Sequence, residues 1–248
     1  MVENMKVLHI GANDAIGRQV AKSALADVIS HRQIENTNFN KYRAISISAF
    51  DPKRKLSLVS GPTLIEKLAR ICPPHGIKIV YYSTCRVFDP INSVNHKYYI
   101  TNKIEDENVL RGSFDDVSTV YFPILVPSFY EDNSPFFKTV FNNLKKNVVH
   151  FDFSRKSEWN FVLSSELIKL TADLFLLGDK QMLLSKTPTL IGDLSDYLTK
   201  NRKNLEVQHS VAVENYPTRG TCPTIHTEID SGSDLVWLSK LERIVYGK

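Results

Sequence analysis

Apolar and polar positions along the chain switch between two spacings, and the switches mark out a succession of strands and helices. Lys6 to Ile10 is a short apolar run ending at Gly11, the pattern of a strand buried in a parallel sheet. From Ile16 to Leu25 the spacing becomes helical, with Ile16, Val20 and Ala24 on one face. Strand, glycine-bearing turn and helix make the first half of a βαβ unit. Val28 to Ser30 predicts a compressed second strand, and Ala44 to Ala49 a further one closed by Asp51-Pro52. Pro62 to Arg70 is helical, with Pro62 suited to the first turn. Pro73-Pro74-His75-Gly76 breaks the chain before a strong strand, Ile77 to Tyr82. A helix over Tyr98 to Leu110 and a strand over Val117 to Leu125 follow. This alternation predicts an α/β fold with a doubly wound parallel sheet and right-handed crossovers.

After Pro127 the pattern changes. Helices are predicted over Phe136 to Leu144, Ser165 to Leu176 and Asp234 to Val245, with short segments at Val148 to Phe153 and Glu206 to Val213. The chain is read as a single domain over residues 1–248, with roughly 127–248 contributing a small C-terminal substrate-binding lobe. The longest apolar region, Phe161 to Leu177, carries Glu166, Lys169 and Asp173, which predicts an amphipathic helix and no membrane span.

Composition narrows the classes. With 42% hydrophobic and 23% charged residues the chain is ordinary for a globular protein and unlike a disordered one. The net charge of +4 is scattered, with short runs at Lys53-Arg54-Lys55 and Lys145-Lys146. It suits a phosphorylated ligand and forms no nucleic-acid stripe. Cys72, Cys85 and Cys222 are too far apart for paired zinc ligands and odd in number, so they are read as reduced thiols of a cytoplasmic protein without a metal. The first apolar stretch, Val7 to Ile10, is too short for a signal peptide.

Two stretches carry candidate chemistry. Gly11-Ala12-Asn13-Asp14-Ala15-Ile16-Gly17 joins the first strand to the first helix. A tight turn there lets helix N–H groups and the helix dipole meet a pyrophosphate. The second stretch is Ile79-Val80-Tyr81-Tyr82-Ser83-Thr84-Cys85-Arg86-Val87-Phe88, followed by Tyr99-Ile100-Thr101-Asn102-Lys103. Tyr99 and Lys103 are four apart and share one helix face. An ammonium there would lower the phenol pKa, so that Tyr99 could exchange a proton with a substrate oxygen.

Together these stretches resemble the extended short-chain dehydrogenase/reductase family and its sugar-nucleotide enzymes. Gly11 and Gly17 match the outer glycines of the family's G-x-x-G-x-x-G turn, while Asp14 replaces the middle one. Tyr99 to Lys103 matches its Y-x-x-x-K motif. The resemblance implies a Rossmann-like sheet binding NADP or NAD. Thr84, Tyr99 and Lys103 would be catalytic, and Gly11, Asn13, Asp14, Ala15, Ile16 and Gly17 would line the cofactor. Ile45-Ser46-Ile47-Ser48-Ala49 resembles the family's fourth strand, which passes under the cofactor and ends here in Ser48 and Ala49. Lys103 would also hold the nicotinamide ribose, and Arg32 would pair with a 2′-phosphate, favouring NADP. Glu107 falls at a common acidic helix position, and Trp159-Asn160-Phe161-Val162 resembles the segment where the chain returns to the cofactor domain. Tyr121 and Pro127 stand where the family carries Arg and Gly, so the substrate side has diverged. The implied activity is reduction or epimerisation of a nucleotide-linked sugar. A homodimer would form through Pro62 to Arg70 and Tyr98 to Leu110, where Ile104, Val109 and Leu110 are either contact or core. A non-catalytic dinucleotide-binding regulator and an enzyme of small hydroxy-ketones remain open, as does a merely solvated face for Tyr99 and Lys103.

Overall fold

The computed structural model describes residues 6–23, 26–49, 62–88, 94–126, 135–169, 180–185, 188–200, 202–212 and 225–229. It forms two compact units, one of residues 1–121 and 168–182, the other of 122–167 and 183–248. The first unit opens with β1 (Val7–Ile10), α1 (Ala15–Ser23), β2 (Asp27–Ile29) and β3 (Ala44–Ile47). It continues with α2 (Leu64–Ile71), β4 (Lys78–Thr84), α3 (Val94–Ser113) and β5 (Asp116–Phe122). Their sheet order is β5-β4-β3-β1-β2. The pairings of β1 with β2 and β3, and of β3 with β4, are parallel. The fold is an α/β, Rossmann-like parallel sheet with flanking helices.

Register fixes where the chemistry can lie. Ile10 pairs with Ile29 on one side and Ile47 on the other, and Ile47 pairs with Tyr81. The carboxyl ends of β1, β2, β3 and β4 therefore share one edge. The strand order reverses at β1, and ligands of open parallel sheets bind outside such a reversal.

Alternate side chains explain the unbroken burial of β1 and β3. Leu8, Ile10, Ile45, Ile47, Ile79 and Tyr81 join one core with Leu64, Ile65 and Leu68 of α2 and Leu110 of α3. Val7, His9, Ala44 and Ser46, of opposite parity, are buried on the other face. Leu110 is thus core, Val109 packs partly against it, and Ile104 is exposed. The Thr63 hydroxyl accepts the Glu66 N–H at 3.1 Å, and the Glu66 carboxylate accepts the Thr63 N–H at 2.6 Å. Thr63 is therefore the cap of α2, and Pro62 precedes it instead of sitting in the first turn. Thr63→Ala is expected to cost about 1 kcal/mol, read from the urea midpoint.

The long strand expected over Val117 to Leu125 is divided. Pro123 has no N–H to give a ladder, so β5 stops at Phe122 and β6 (Ile124–Val126) belongs to the second unit. That unit contains α4 (Pro135–Leu144), β7 (Val148–Phe151), β8 (Glu158–Trp159) and β9 (Phe161–Leu163). β6 and β9 pair in parallel. Phe161 to Leu163 is thus strand, and the helix expected from Phe161 begins only at α5 (Ser164–Lys169). The chain returns to the first unit at residue 168, beyond Trp159 to Val162. Next, β10 (Lys180–Ser185) runs parallel to β5 from Lys180 to Met182. β11 (Thr189–Leu190), α6 (Ile191–Lys200), β12 (Glu206–His209) and β13 (Ile225–Ile229) complete the second unit. There β12 pairs with β7 in parallel and β11 with β8 antiparallel. The Asp234 to Val245 helix, residues 170–176 of the Ser165 to Leu176 helix, Cys222 and Pro127 lie outside the described residues.

Candidate nucleotide and catalytic site

The turn after β1 is tied to β2: the Gly11 and Ala12 N–H groups donate to the Ile29 carbonyl at 3.0 and 3.2 Å. Gly11 has φ +148°, which side chains rarely adopt. A Cβ on Gly17 would overlap the Gly11 carbonyl, so α1 starts directly against the turn. Both glycines are buried, as is Ile16, while Ala15 is half-buried and Asn13 exposed. This is the close approach that a bound pyrophosphate requires.

Asp14 departs from that design. Its Oδ1 accepts the Gly17 N–H at 2.8 Å, and its Oδ2 accepts the Ser48 hydroxyl at 2.7 Å. Burial raises its pKa, and the bonds from Gly17 and Ser48 and the charge of Lys103 oppose the rise. Behind Ser48 stands His9, fully buried and pushed down to about 4 by burial, hence neutral at pH 7. Its Nε2 is 2.9 Å from Ser48 Oγ, and its Nδ1 is 2.7 Å from Ser46 Oγ. Ser48 gives its proton to a carboxylate, so it must accept from Nε2–H, leaving Nδ1 to accept from Ser46. The result is one directed chain from Ser46 through His9 and Ser48 to Asp14.

The other half of the site is α3. Lys103 is only 4% exposed, which removes the solvated-lysine reading. Its ammonium donates to the Tyr82 carbonyl at 3.0 Å and lies 4.7 Å from the Tyr81 ring centroid. Burial pushes it down to about 8, against the charges of Asp106 and Asp14. Tyr99 is half-buried beside the exposed Tyr98. Its phenol is pushed up to about 12, first by burial and then by the Asp14 charge. The expected lowering of this pKa by Lys103 is therefore corrected: burial and the Asp14 charge push it the other way.

Lys103 makes stability depend on pH in a definite direction. Its folded pKa, about 8, lies below the ordinary 10.5. Between the two the unfolded chain binds more protons, so this group's contribution to stability rises with pH. The difference in urea midpoint between wild type and Lys103→Met is expected to move in wild type's favour from about pH 8 to about pH 10. A difference independent of pH would remove the assignment. Taking the difference cancels the opposite drift from Cys72, whose buried thiol is pushed up to about 12.

The remaining expected residues fall around this edge. Thr84 ends β4, is buried, and accepts the Arg86 N–H at 3.3 Å. Ser48 and Ala49 follow β3, their N–H groups bonded to the Ile10 carbonyl. Arg32 is exposed on a short 3₁₀ helix, His31–Asn36, beyond β2. Sequence reasoning missed His9, Ser46 and Asp106. A histidine and a serine paired in register within two buried strands were the available signal. Ser83 Oγ, beside Thr84, and Asn102 Nδ2, beside Lys103, are buried with no hydrogen-bond partner in the protein.

Solved structures share this architecture. The dTDP-4-dehydrorhamnose reductase of Clostridium acetobutylicum matches at 17% identity over 97% of this chain and 98% of its own, with a TM-score of 0.61. The UDP-N-acetylglucosamine 4-epimerase of Bacillus cereus matches at 14% identity over 98% and 96%, with a TM-score of 0.62. MoeE5, solved with UDP-glucose and NAD, matches at 12% identity over 91% and 89%, with a TM-score of 0.64. The chain has their fold. No family model and no curated protein matches the sequence. At these identities the likeness is one of architecture, and function rests on the site. Among the described residues no helix is long and apolar enough to cross a membrane.

Proposed function

We propose that the chain is an NAD(P)-dependent reductase of the short-chain dehydrogenase/reductase type, acting on a keto-sugar carried by a nucleotide. The observation that carries this reading is geometric: the buried Lys103 of α3 bonds the Tyr82 carbonyl near the carboxyl end of β4, and Asp14 of the phosphate turn bonds Ser48, just after β3. Two segments far apart in sequence thus meet at the carboxyl edge, where the strand order reverses. The fit to a dinucleotide rests on Gly11, Gly17 and the start of α1. A bound nicotinamide would supply the hydride.

Each residue then has a task. Lys103 would hold the nicotinamide ribose. Tyr99, with its phenol pushed up to about 12, keeps its proton at neutral pH and gives it to the substrate oxygen. Thr84 offers a second hydroxyl to that oxygen. Epimerisation would use the same side chains with Tyr99 as base in its first half, whereas a reductase starts from the protonated phenol that a pKa pushed up to about 12 maintains at neutral pH. Arg32, exposed beyond β2, supports NADP. Substrate recognition is assigned to the second unit. The buried thiols Cys72 and Cys85 suit a reducing cytoplasm, and exposed Ile104 suits a homodimer contact.

A second reading, a dinucleotide-binding regulator without turnover, is favoured by one observation, the carboxylate of Asp14 capping α1. Following NADPH absorbance with nucleotide-linked keto-sugars separates the two. Substrate-dependent oxidation supports the reductase. NADPH binding without oxidation across a panel of such sugars supports the regulator.

A further inference from the structure

We infer that Asp14 is a specificity residue of the phosphate turn, coupling dinucleotide binding to the uptake of one proton. The inference rests on the reading of residues 11–17 as a dinucleotide turn. A helix start receives a phosphate through its free N–H groups and its positive end. In this chain Asp14 Oδ1 already holds the Gly17 N–H at 2.8 Å and brings a negative charge to the same place. A glycine there would offer only backbone N–H.

The carboxylate is also held against swinging aside. Ser48 binds its other oxygen at 2.7 Å, and His9 fixes Ser48 at 2.9 Å. Ser46 in turn fixes His9 at 2.7 Å. The arrangement spends a buried histidine and two serines on one side chain, which packing alone does not require. A pyrophosphate arriving at α1 therefore meets a fixed like charge, and protonation of Asp14 is the simplest relief. Neutral Asp14 can still take the Gly17 N–H on one oxygen while its O–H donates to Ser48, whose own proton then turns to His9 Nε2 as the imidazole adopts its other tautomer. The proton comes from solvent and returns there on release.

The groups facing Asp14 limit which other protons can contribute. From α3 come Lys103 and Tyr99, at about 8 and about 12. From β1 comes His9 at about 4. On α1 itself Arg18 donates to the Asn13 carbonyl at 3.1 Å. Between about pH 5 and about pH 6.5 Lys103, Tyr99 and His9 largely keep their charge state. Binding that takes up one proton weakens up to about tenfold for each pH unit above the free carboxyl pKa.

The test is NADPH titration of the whole chain by cofactor fluorescence across that range, read as the difference between wild type and Asp14→Asn so that the 2′-phosphate, which itself titrates near about pH 6, cancels. Calorimetry in two buffers of different ionisation enthalpy counts the protons taken up. Wild type is expected to bind more weakly as pH rises, with uptake approaching one proton. Asp14→Asn, which retains a helix cap, is expected to bind severalfold tighter than wild type at the upper end of that range and to show a shallower slope. Asp14→Gly serves if the asparagine variant does not fold, with circular dichroism as the check. A wild-type affinity flat in pH, matched by Asp14→Asn, would overturn the coupling while leaving the dinucleotide turn in place. No NADPH binding by wild type or either folded variant at any pH would overturn both.

Discussion

Tyr99→Phe is expected to lower substrate-dependent NADPH oxidation by about a hundred- to ten-thousand-fold, the usual worth of a positioned acid, while NADPH affinity stays within a few-fold. Phenylalanine keeps the ring that packs on α3 and removes only the phenol. Half-burial of Tyr99 makes loss of folding an unattractive explanation for such an effect, and an unchanged urea midpoint would exclude it. The pH profile adds an independent readout. A phenol pushed up to about 12 remains protonated through neutrality, so reduction should not fall as pH drops from about 8 to about 6 through loss of a base. Unchanged turnover in Tyr99→Phe would remove the proposed mechanism and leave the fold untouched.

The largest stability effect is expected at Glu107. This buried carboxylate joins α3 to β5: it accepts the Tyr121 hydroxyl at 2.7 Å and the Arg111 Nε–H at 2.9 Å. Arg111 also reaches the Val117 carbonyl at 3.3 Å and the Thr119 hydroxyl at 3.0 Å. Glu107→Ala leaves a phenol and a guanidinium without their anion, both largely shielded from water. Removing one partner of a buried pair costs about 3 kcal/mol or more. Glu107→Gln, which keeps an acceptor of the same length, should lose clearly less. Equal urea midpoints for wild type and the alanine variant would show that the pair contributes nothing net.

Much of the first unit was legible because parallel strands buried on both faces leave apolar runs that few other elements leave. β1, β3 and β4 were readable for that reason, and Thr84 was marked by the end of such a run, whereas Tyr99 and Lys103 were marked by their spacing of one helical turn. Boundaries set by a single backbone group were less legible. Pro123, lacking one N–H, ends β5, and the Thr63 cap puts Pro62 outside α2. Phe161 to Leu163 reads equally well as helix or strand, since three apolar residues carry no period. The electrostatics of the site were the least legible. Spacing put an ammonium one turn from a phenol, but burial of both groups and the approach of Asp14 are properties of the folded chain. They reverse the expected direction of the Tyr99 shift.

A structure determined with NADPH, from crystals grown near pH 5.5 where Asp14 is nearest to its neutral form, examines the proposal at its root. The phosphates should lie over Gly11 to Gly17, with the nicotinamide against Tyr99 and Lys103. A dinucleotide bound elsewhere, or a turn still closed by the Asp14 carboxyl at saturating NADPH, would contradict it.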